Sequence, residues 1–220
     1  MIRYLVFDLD DTLYPRGSGV MEEVRRLILR YMIERLGMDS TQAQTLRRRY
    51  MTEYGTTMAG LLRHHHIDPE DYLAYVHDLP VARYLQANGE LDRVLEAIPL
   101  RKAVWTNATR AHAERVLEAL GVRRHFSAIV DIRDMDYVSK PAPHIYPRLL
   151  QLLEAEGPEC ILVEDSLRNL RPARELGMIT VLVDGEGQGE VDFVIGRVEE
   201  IGGVVQALGE PRPAVGRRPR

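Results

Sequence analysis

The chain of 220 residues has a single cysteine, Cys160, so no internal disulfide can form, and a reducing compartment is the natural expectation. It has no excess of basic charge. Its 29 basic and 33 acidic residues leave a net charge of −4, which gives no electrostatic case for a nucleic acid polymer or an anionic membrane as the main partner. Its apolar runs are far too short to span a bilayer. Met1-Ile2-Arg3-Tyr4 leads straight into a predicted strand without signal-peptide architecture, and no internal repeat is visible. These absences lead to the expectation of a cytoplasmic globular protein. Its 45% hydrophobic content is ordinary for that class, and its length suits one large domain or two small ones.

Most informative is the stretch Val6-Phe7-Asp8-Leu9-Asp10-Asp11-Thr12. An apolar run, Tyr4-Leu5-Val6-Phe7, reads as a buried strand within residues 3–10 and ends in three carboxylates. Clustered acids at a buried strand end repel one another, and leaving them unpaired is costly. A hard divalent cation with oxygen ligands is the simplest way to offset that charge.

Further on, the pattern turns helical. Val24, Leu27, Ile28, Tyr31 and Met32 recur at spacings of three and four, predicting a helix over 21–36 that Gly37 stops. A second helix is expected over 40–53 with Ser40 or Thr41 as cap. A third is expected over 57–66, and a fourth opens at Asp68-Pro69. No convincing strand falls between 17 and 87. Beyond Leu91 the texture alternates. Strands are predicted over 100–106, 128–132, 161–163 and 179–183, with a possible short one over 192–195. Helices are predicted over 110–120, from 143 or 144 to 153, and over 167–176. Alternating strands and helices argue for βαβ units and a parallel sheet. The expected fold is therefore α/β: a Rossmann-like core with a central parallel sheet flanked by helices, plus an inserted all-helical cap. Residues 1–14 and 89–208 form the core, residues 15–88 the cap, and residues 209–220 a disordered tail.

In such sheets ligands bind beyond the carboxyl ends of the strands. Four polar clusters fall there: Asp8 to Thr12, Thr106-Asn107, Lys140 and Glu164-Asp165. Together they offer two acids, hydroxyl and amide donors, a cation and metal ligands, which is the equipment of phosphoryl transfer. In this order they resemble the four motifs of the haloacid dehalogenase superfamily, and the insertion falls where its helical-cap subgroup carries one. The resemblance implies Asp8 as the phosphorylated nucleophile and Asp10 as general acid and base, biased towards its protonated form by nearby phosphate. It implies Lys140 as the residue that holds Asp8 and phosphate, with Thr106 and the Asn107 backbone binding phosphate oxygens. Thr12 would brace the loop, Glu164 would reach the metal through a water, and Asn169, one helical turn on, would support the ligand set from behind. Magnesium would sit on the Asp8 side chain, the Asp10 carbonyl oxygen and Asp165. Members that dehalogenate lack an acid at the position of Asp10, so phosphate chemistry is implied here.

A finer resemblance rests on Asp11-Thr12-Leu13-Tyr14-Pro15, Ser18-Gly19-Val20-Met21, Tyr54-Gly55-Thr56-Thr57 and Lys140-Pro141-Ala142-Pro143-His144-Ile145-Tyr146. These are similar to the pyrimidine 5′-nucleotidase branch and imply nucleoside monophosphates as the small phosphorylated metabolite. The alternatives are a phosphatase for phosphoglycolate or a sugar phosphate, a phosphomutase, and a non-catalytic binding protein.

Other features read more plainly. His64-His65-His66 point in different directions on a helix and do not make a metal site, although one of them could touch substrate. Gly185-Glu186-Gly187-Gln188-Gly189 lacks the lysine and following helix of a phosphate loop. Tyrosines 14, 54, 72, 75 and 84 suit a cap core, with Tyr54, at a helix break, the candidate for substrate contact. Cys160 reads as an inert strand residue, and the arginines of the tail as a solvated end.

Overall fold

The computed structural model describes residues 1–186 and 189–209. The expected tail, except for Gly209, and the centre of the glycine-rich 185–189 loop lie outside these residues. Six strands make one sheet: β1 (Tyr4–Phe7), β2 (Arg101–Trp105), β3 (Phe126–Val130), β4 (Cys160–Glu164), β5 (Ile179–Val183) and β6 (Phe193–Ile195). Their spatial order is β3-β2-β1-β4-β5-β6, and every pairing is parallel.

The chain first builds outward from β1 through β2 to β3, then crosses to the other side of β1 to start β4. The strand order reverses at β1, and open parallel sheets place their ligand crevice at such a reversal. Register fixes what meets there. Phe7 lies opposite Val104 and Val163, so Asp8, Trp105 and Glu164 leave their strands side by side. The Asp8 amide still donates to the Val163 carbonyl at 2.9 Å.

β1 is buried on both faces, as a parallel strand covered by helices should be. Leu5 and Phe7 face one hydrophobic cluster, while Tyr4 and Val6 face the other. This is the period of two that a pleated strand imposes.

Four helices separate β1 from the rest of the core: α1 (Val20–Glu34), α2 (Ser40–Tyr54), α3 (Thr57–His65) and α4 (Pro69–Val76). They match the predicted all-helical insertion, with shifted ends. Asp39, not Ser40 or Thr41, caps α2: its carboxylate accepts from the Gln42 amide at 2.8 Å. Thr56 caps α3, and Asp68 with Pro69 opens α4.

α5 (Gly89–Ala97), α6 (Arg110–Ala119), α7 (Ile145–Leu152), α8 (Leu167–Glu175) and α9 (Ile201–Gly209) complete the described helices. α5 and α9 lie outside the sequence expectation. α5 buries only Leu91 and Leu95, too sparse a stripe to stand out, and α9 carries two adjacent glycines. α9 also takes Gly209, which the sequence assigned to the tail. β3 begins at Phe126, two residues before the expected start, and stops short of Asp131. Asp131 instead turns back to accept from the amides of Arg110, Arg133 and Asp134. No described helix is long and apolar enough to cross a membrane.

Gly157, in the turn before β4, is pressed against the end of α8. A β-carbon there would lie 1.8 Å from the Leu176 carbonyl oxygen, which belongs to backbone and has no rotamer to yield. Gly157→Ala is therefore expected to cost about 1–3 kcal/mol, the range of overpacking in a filled site. A lower denaturant midpoint with an unchanged slope would verify it, and an unchanged midpoint would refute it.

Candidate active site

The site lies at the carboxyl ends of β1, β2 and β4. Lys140 is its centre, and its side chain is only 1% exposed. The Nζ donates to Asp8 Oδ1 at 2.7 Å, to Glu164 Oε1 at 2.9 Å and to the Trp105 carbonyl at 3.0 Å. An ammonium has three hydrogens, so every one is used. The Trp105 ring covers it with its centroid 5.0 Å from Nζ. Burial would favour the neutral amine, but the charges of Asp8 and Glu164 outweigh it and hold Lys140 protonated. Asn107 fixes the backbone of that residue. Its Oδ1 accepts from the Lys140 amide at 2.8 Å, and its Nδ2 donates to the Lys140 carbonyl at 3.4 Å. The Lys140–Pro141 peptide is cis.

Asp8 is held at both oxygens, Oδ1 by Lys140 and Oδ2 by the Thr12 hydroxyl at 3.1 Å. Burial pushes its carboxyl up, helped by the charges of Glu164 and Asp10 and opposed by Lys140, so that it titrates at about 7. Asp165 is also raised, by burial and then by the charge of Asp8. Glu164 is fully enclosed. Besides Lys140 it accepts from Asn169 Nδ2 at 2.5 Å and from the Ser166 amide at 2.8 Å. Its first task is therefore to hold Lys140 and the turn after β4. Oxygens of Asp8, Glu164 and Asp165 nevertheless lie within 4.8 Å of one another.

Two carboxylates thus share one ammonium with a third close by, and burial pushes all three towards their neutral forms. That imbalance fits a hard divalent cation with oxygen ligands. Among the described residues no hydrogen bond claims the Asp10 carbonyl oxygen. Arg16, which the sequence reading did not single out, pairs with Asp165 Oδ2 at 2.6 Å from the start of the insertion.

Asp10 behaves in the opposite way to Asp8. Asp11 adopts a left-handed conformation, with φ of 61°, and turns the chain back beneath Asp10. Burial favours the neutral acid, but the charge of His112 and hydrogen bonds from His112 and Tyr14 reverse this and hold Asp10 below its ordinary range. The expected bias towards a protonated Asp10 is therefore absent without a bound phosphate. Tyr14 is 1% exposed and donates to Asp10, which removes it from the residues that could stack on a ligand.

A cavity of about 410 Å3 joins these groups to the cap. Thr106 and Asn107 line its floor beside Asp8, Asp10, Lys140 and Asp165, while Met21, Val24, Ile28, Met51 and Met58 form its roof. Gly55, Thr56 and Thr57 line it, but Tyr54 does not. Tyr54 instead hydrogen-bonds His64 at 2.8 Å. Polar contacts tie roof to floor. Arg168 donates to the Met51 carbonyl at 2.7 Å and the Thr52 carbonyl at 3.2 Å, and Thr56 meets Ser139 at 3.0 Å. Gly55 sits against Pro141, where a β-carbon would come within 2.7 Å of its ring. His64 and His65 are engaged by Tyr54 and Tyr50 respectively, so the three adjacent histidines do not converge.

A parallel α/β core with a helical cap over a carboxylate–lysine cluster defines a class of hydrolytic enzymes built on a Rossmann-like sheet. Residues 2–177 match the family described as haloacid dehalogenase-like hydrolase. Glyceraldehyde 3-phosphate phosphatase of Methanopyrus kandleri is 31% identical over 234 residues, covering 94% of this chain and 99% of that protein. Phosphate metabolism protein 8 of Saccharomyces cerevisiae is 26% identical over 187 residues, 78% of this chain but only 58% of that protein. Among solved structures, CbbY from Rhodobacter sphaeroides in complex with phosphate superposes with a TM-score of 0.64 at 24% identity, over 92% of this chain and 97% of that one. L-2-haloacid dehalogenase from Xanthobacter autotrophicus superposes at 0.60 and 16%, over 94% of this chain and 100% of that one, so the fold is shared across different chemistries. The chain belongs to the haloacid dehalogenase-like hydrolase family.

The raised carboxyl groups set a pH dependence. Asp8 titrates near 7 in the fold against 3.8 when unperturbed, so the native protein binds this proton more tightly than the unfolded chain. The stability it contributes is fully present below about 4 and is lost as pH rises towards 7. Asp10 works the other way, but only below its ordinary 3.8. The metal-free protein is expected to have a lower urea midpoint at pH 7.5 than at pH 5, and millimolar magnesium should restore most of it at pH 7.5. A midpoint insensitive to both would contradict the charge imbalance described.

Proposed function

We propose that this protein is a magnesium-dependent phosphomonoesterase that acts on small phosphorylated metabolites through an aspartyl-phosphate at Asp8, with nucleoside 5′-monophosphates of the pyrimidine type as its main substrates. The observation that carries the reaction type is Asp8 held by Lys140 and Thr12 at the sheet's reversal point, facing a cavity beside Asp10 and Asp165. Asp8 attacks phosphorus and takes the phosphoryl group, so one difficult displacement becomes two easier ones. Lys140 neutralises charge on Asp8 and on the bound phosphate, and Thr106 and the Asn107 backbone donate to its oxygens. Asp10 gives a proton to the leaving oxygen and later takes one from water. The negative phosphate beside it supplies the upward push that the ligand-free site lacks. Asp8, the Asp10 carbonyl and Asp165 would hold the magnesium, which supplies positive charge for the carboxylates and the phosphate together. Glu164 and Asn169 support this set through Lys140 and the turn after β4.

The cap comprises residues 15–88 and closes on a core made of residues 1–14 and 89–208. Closure excludes bulk water from the aspartyl-phosphate until a single water can be placed. The apolar roof supports a leaving group with an apolar face, as a nucleobase has, and the cavity volume lies in the range of organic-ligand pockets. A second reading, glyceraldehyde 3-phosphate, is supported by the similarity to the Methanopyrus phosphatase along nearly the whole chain.

Phosphate release with magnesium from UMP, CMP, AMP, GMP, phosphoglycolate and glyceraldehyde 3-phosphate separates these readings. Selective turnover of the pyrimidine nucleotides is expected, and Asp8→Asn should reduce it to background. Turnover confined to glyceraldehyde 3-phosphate would keep the mechanism and overturn the nucleotide assignment. No release from any ester would overturn the phosphatase reading.

A further inference from the structure

We propose that His112 and Tyr14 are positioning residues that restrict proton transfer by Asp10 to one of its oxygens, Oδ2; this deepens the phosphatase reading and rests on it. His112 is on the buried face of α6 and is fully enclosed. Its Nε2 lies 3.1 Å from Asp10 Oδ1, and the Tyr14 hydroxyl donates to that same oxygen at 2.6 Å. An ionised carboxylate only accepts, so His112 Nε2 carries the ring hydrogen. His112 Nδ1, an acceptor in the neutral ring and a donor in the cation, is buried without a partner among the described residues. An apolar side chain would fill this space without orphaning a polar atom. The hydrogen bond from Nε2 is what the histidine adds.

The ring is also held in place. His77, just past the end of α4, stacks on it with centroids 4.6 Å apart and planes 23° apart. Arg115, further along α6, donates to the His77 carbonyl at 2.7 Å and fixes the stack. A residue leaving the cap thus abuts the ring that orients Asp10.

Oδ1 already receives two donors, whereas among the described residues Oδ2 receives none. Oδ2 is the oxygen left to work in the cavity that Asp10 shares with Asp8. In the first step an Asp8 oxygen bonds to phosphorus, the ester O–P bond breaks, and the Oδ2 proton passes to the departing alkoxide. In the second step water attacks phosphorus, its proton passes to Oδ2, and the Asp8–phosphorus bond breaks to release phosphate. Protons and bonds balance over the cycle.

The test compares two esters with magnesium. The alkoxide of UMP needs a proton to leave, whereas p-nitrophenolate leaves without one. The ratio kcat/KM reports events up to phosphoryl transfer, so it isolates the first proton transfer. His112→Ala should lower kcat/KM for UMP at least about tenfold more than for p-nitrophenyl phosphate, because positioned acid catalysis is worth roughly a hundred- to ten-thousandfold. Most of the UMP loss should appear in kcat, not KM. Tyr14→Phe should show the same split. His112→Gln, which keeps an N–H donor, should recover part of it; these two variants carry the test if His112→Ala does not fold. An equal fall on both esters, or no fall in a folded variant, would overturn the assignment while leaving the phosphatase reading intact. A wild-type protein that hydrolyses neither ester would overturn both.

Discussion

The site depends on one buried ammonium. Lys140 has three hydrogens and three acceptors, two of them carboxylates on neighbouring strands. Removing these charges from water is expensive, and their mutual attraction recovers the cost only with good geometry and saturated hydrogen bonding. The sheet provides the geometry. Because β1 pairs with both β2 and β4 in matched register, Asp8, the Trp105 carbonyl and Glu164 emerge at one level. Asn107 then anchors the backbone of Lys140 by both edges of its amide. A one-residue slip of β4 would turn Glu164 to the opposite face and strand the lysine. Strand register and charge balance are therefore a single constraint.

That constraint leaves the site short of positive charge, and the shortfall sorts two nearby acids. Asp8, desolvated by burial and crowded by Glu164 and Asp10, is pushed up towards neutrality. Asp10, two residues on, is turned by Asp11 towards His112 and Tyr14 and pushed down. Acids separated in this way take different roles, and the separation comes from environment alone. In the proposed mechanism the nucleophile must be ionised, so Asp8 would need the cation its neighbours invite. An acid must be protonated, so Asp10 needs the phosphate itself. In that proposed mechanism each requirement is met only when the ligand set is complete, which would limit chemistry before the ligands bind.

The positions that converge at the candidate site were legible because they are local: a buried strand ending in acids, a hydroxyl–amide pair after another strand, a lysine before proline. Parallel β-strands with acids at their ends have few explanations, and the order of the four clusters excluded most. Asp39 was missed as a cap because Ser40 and Thr41 are equally good cap residues by type, and only backbone geometry chooses among them. α5 and α9 were missed because two buried leucines and a pair of glycines make a faint helical signal. His112 and Arg16 were missed for a different reason. Each acts on an acid more than a hundred residues away in sequence, and nothing in its own neighbourhood marks it. Tyr14 was visible as an aromatic four residues past Asp10, but its hydroxyl mattered more than its ring.

The division between core and cap also separates two kinds of information. The core groups are polar and fixed by strand register, so they carry the reading of a reaction type. The roof is made of Met21, Val24, Ile28, Met51 and Met58, side chains that offer shape and apolar area but few directed bonds. Methionine in particular adapts to its ligand rather than dictating it. An apolar pocket also discriminates weakly between similar ligands, about 1–3 kcal/mol per methylene. Strong selectivity must then come from the rim, where Thr56, Ser139 and Arg168 join cap to core and set how far the roof descends. On the same side of the core, His77 stacks on His112 beside Asp10. In the proposed mechanism the cap thus meets the core both at the rim that limits the leaving group and at the stack behind Asp10, which would let a permissive roof serve a selective enzyme.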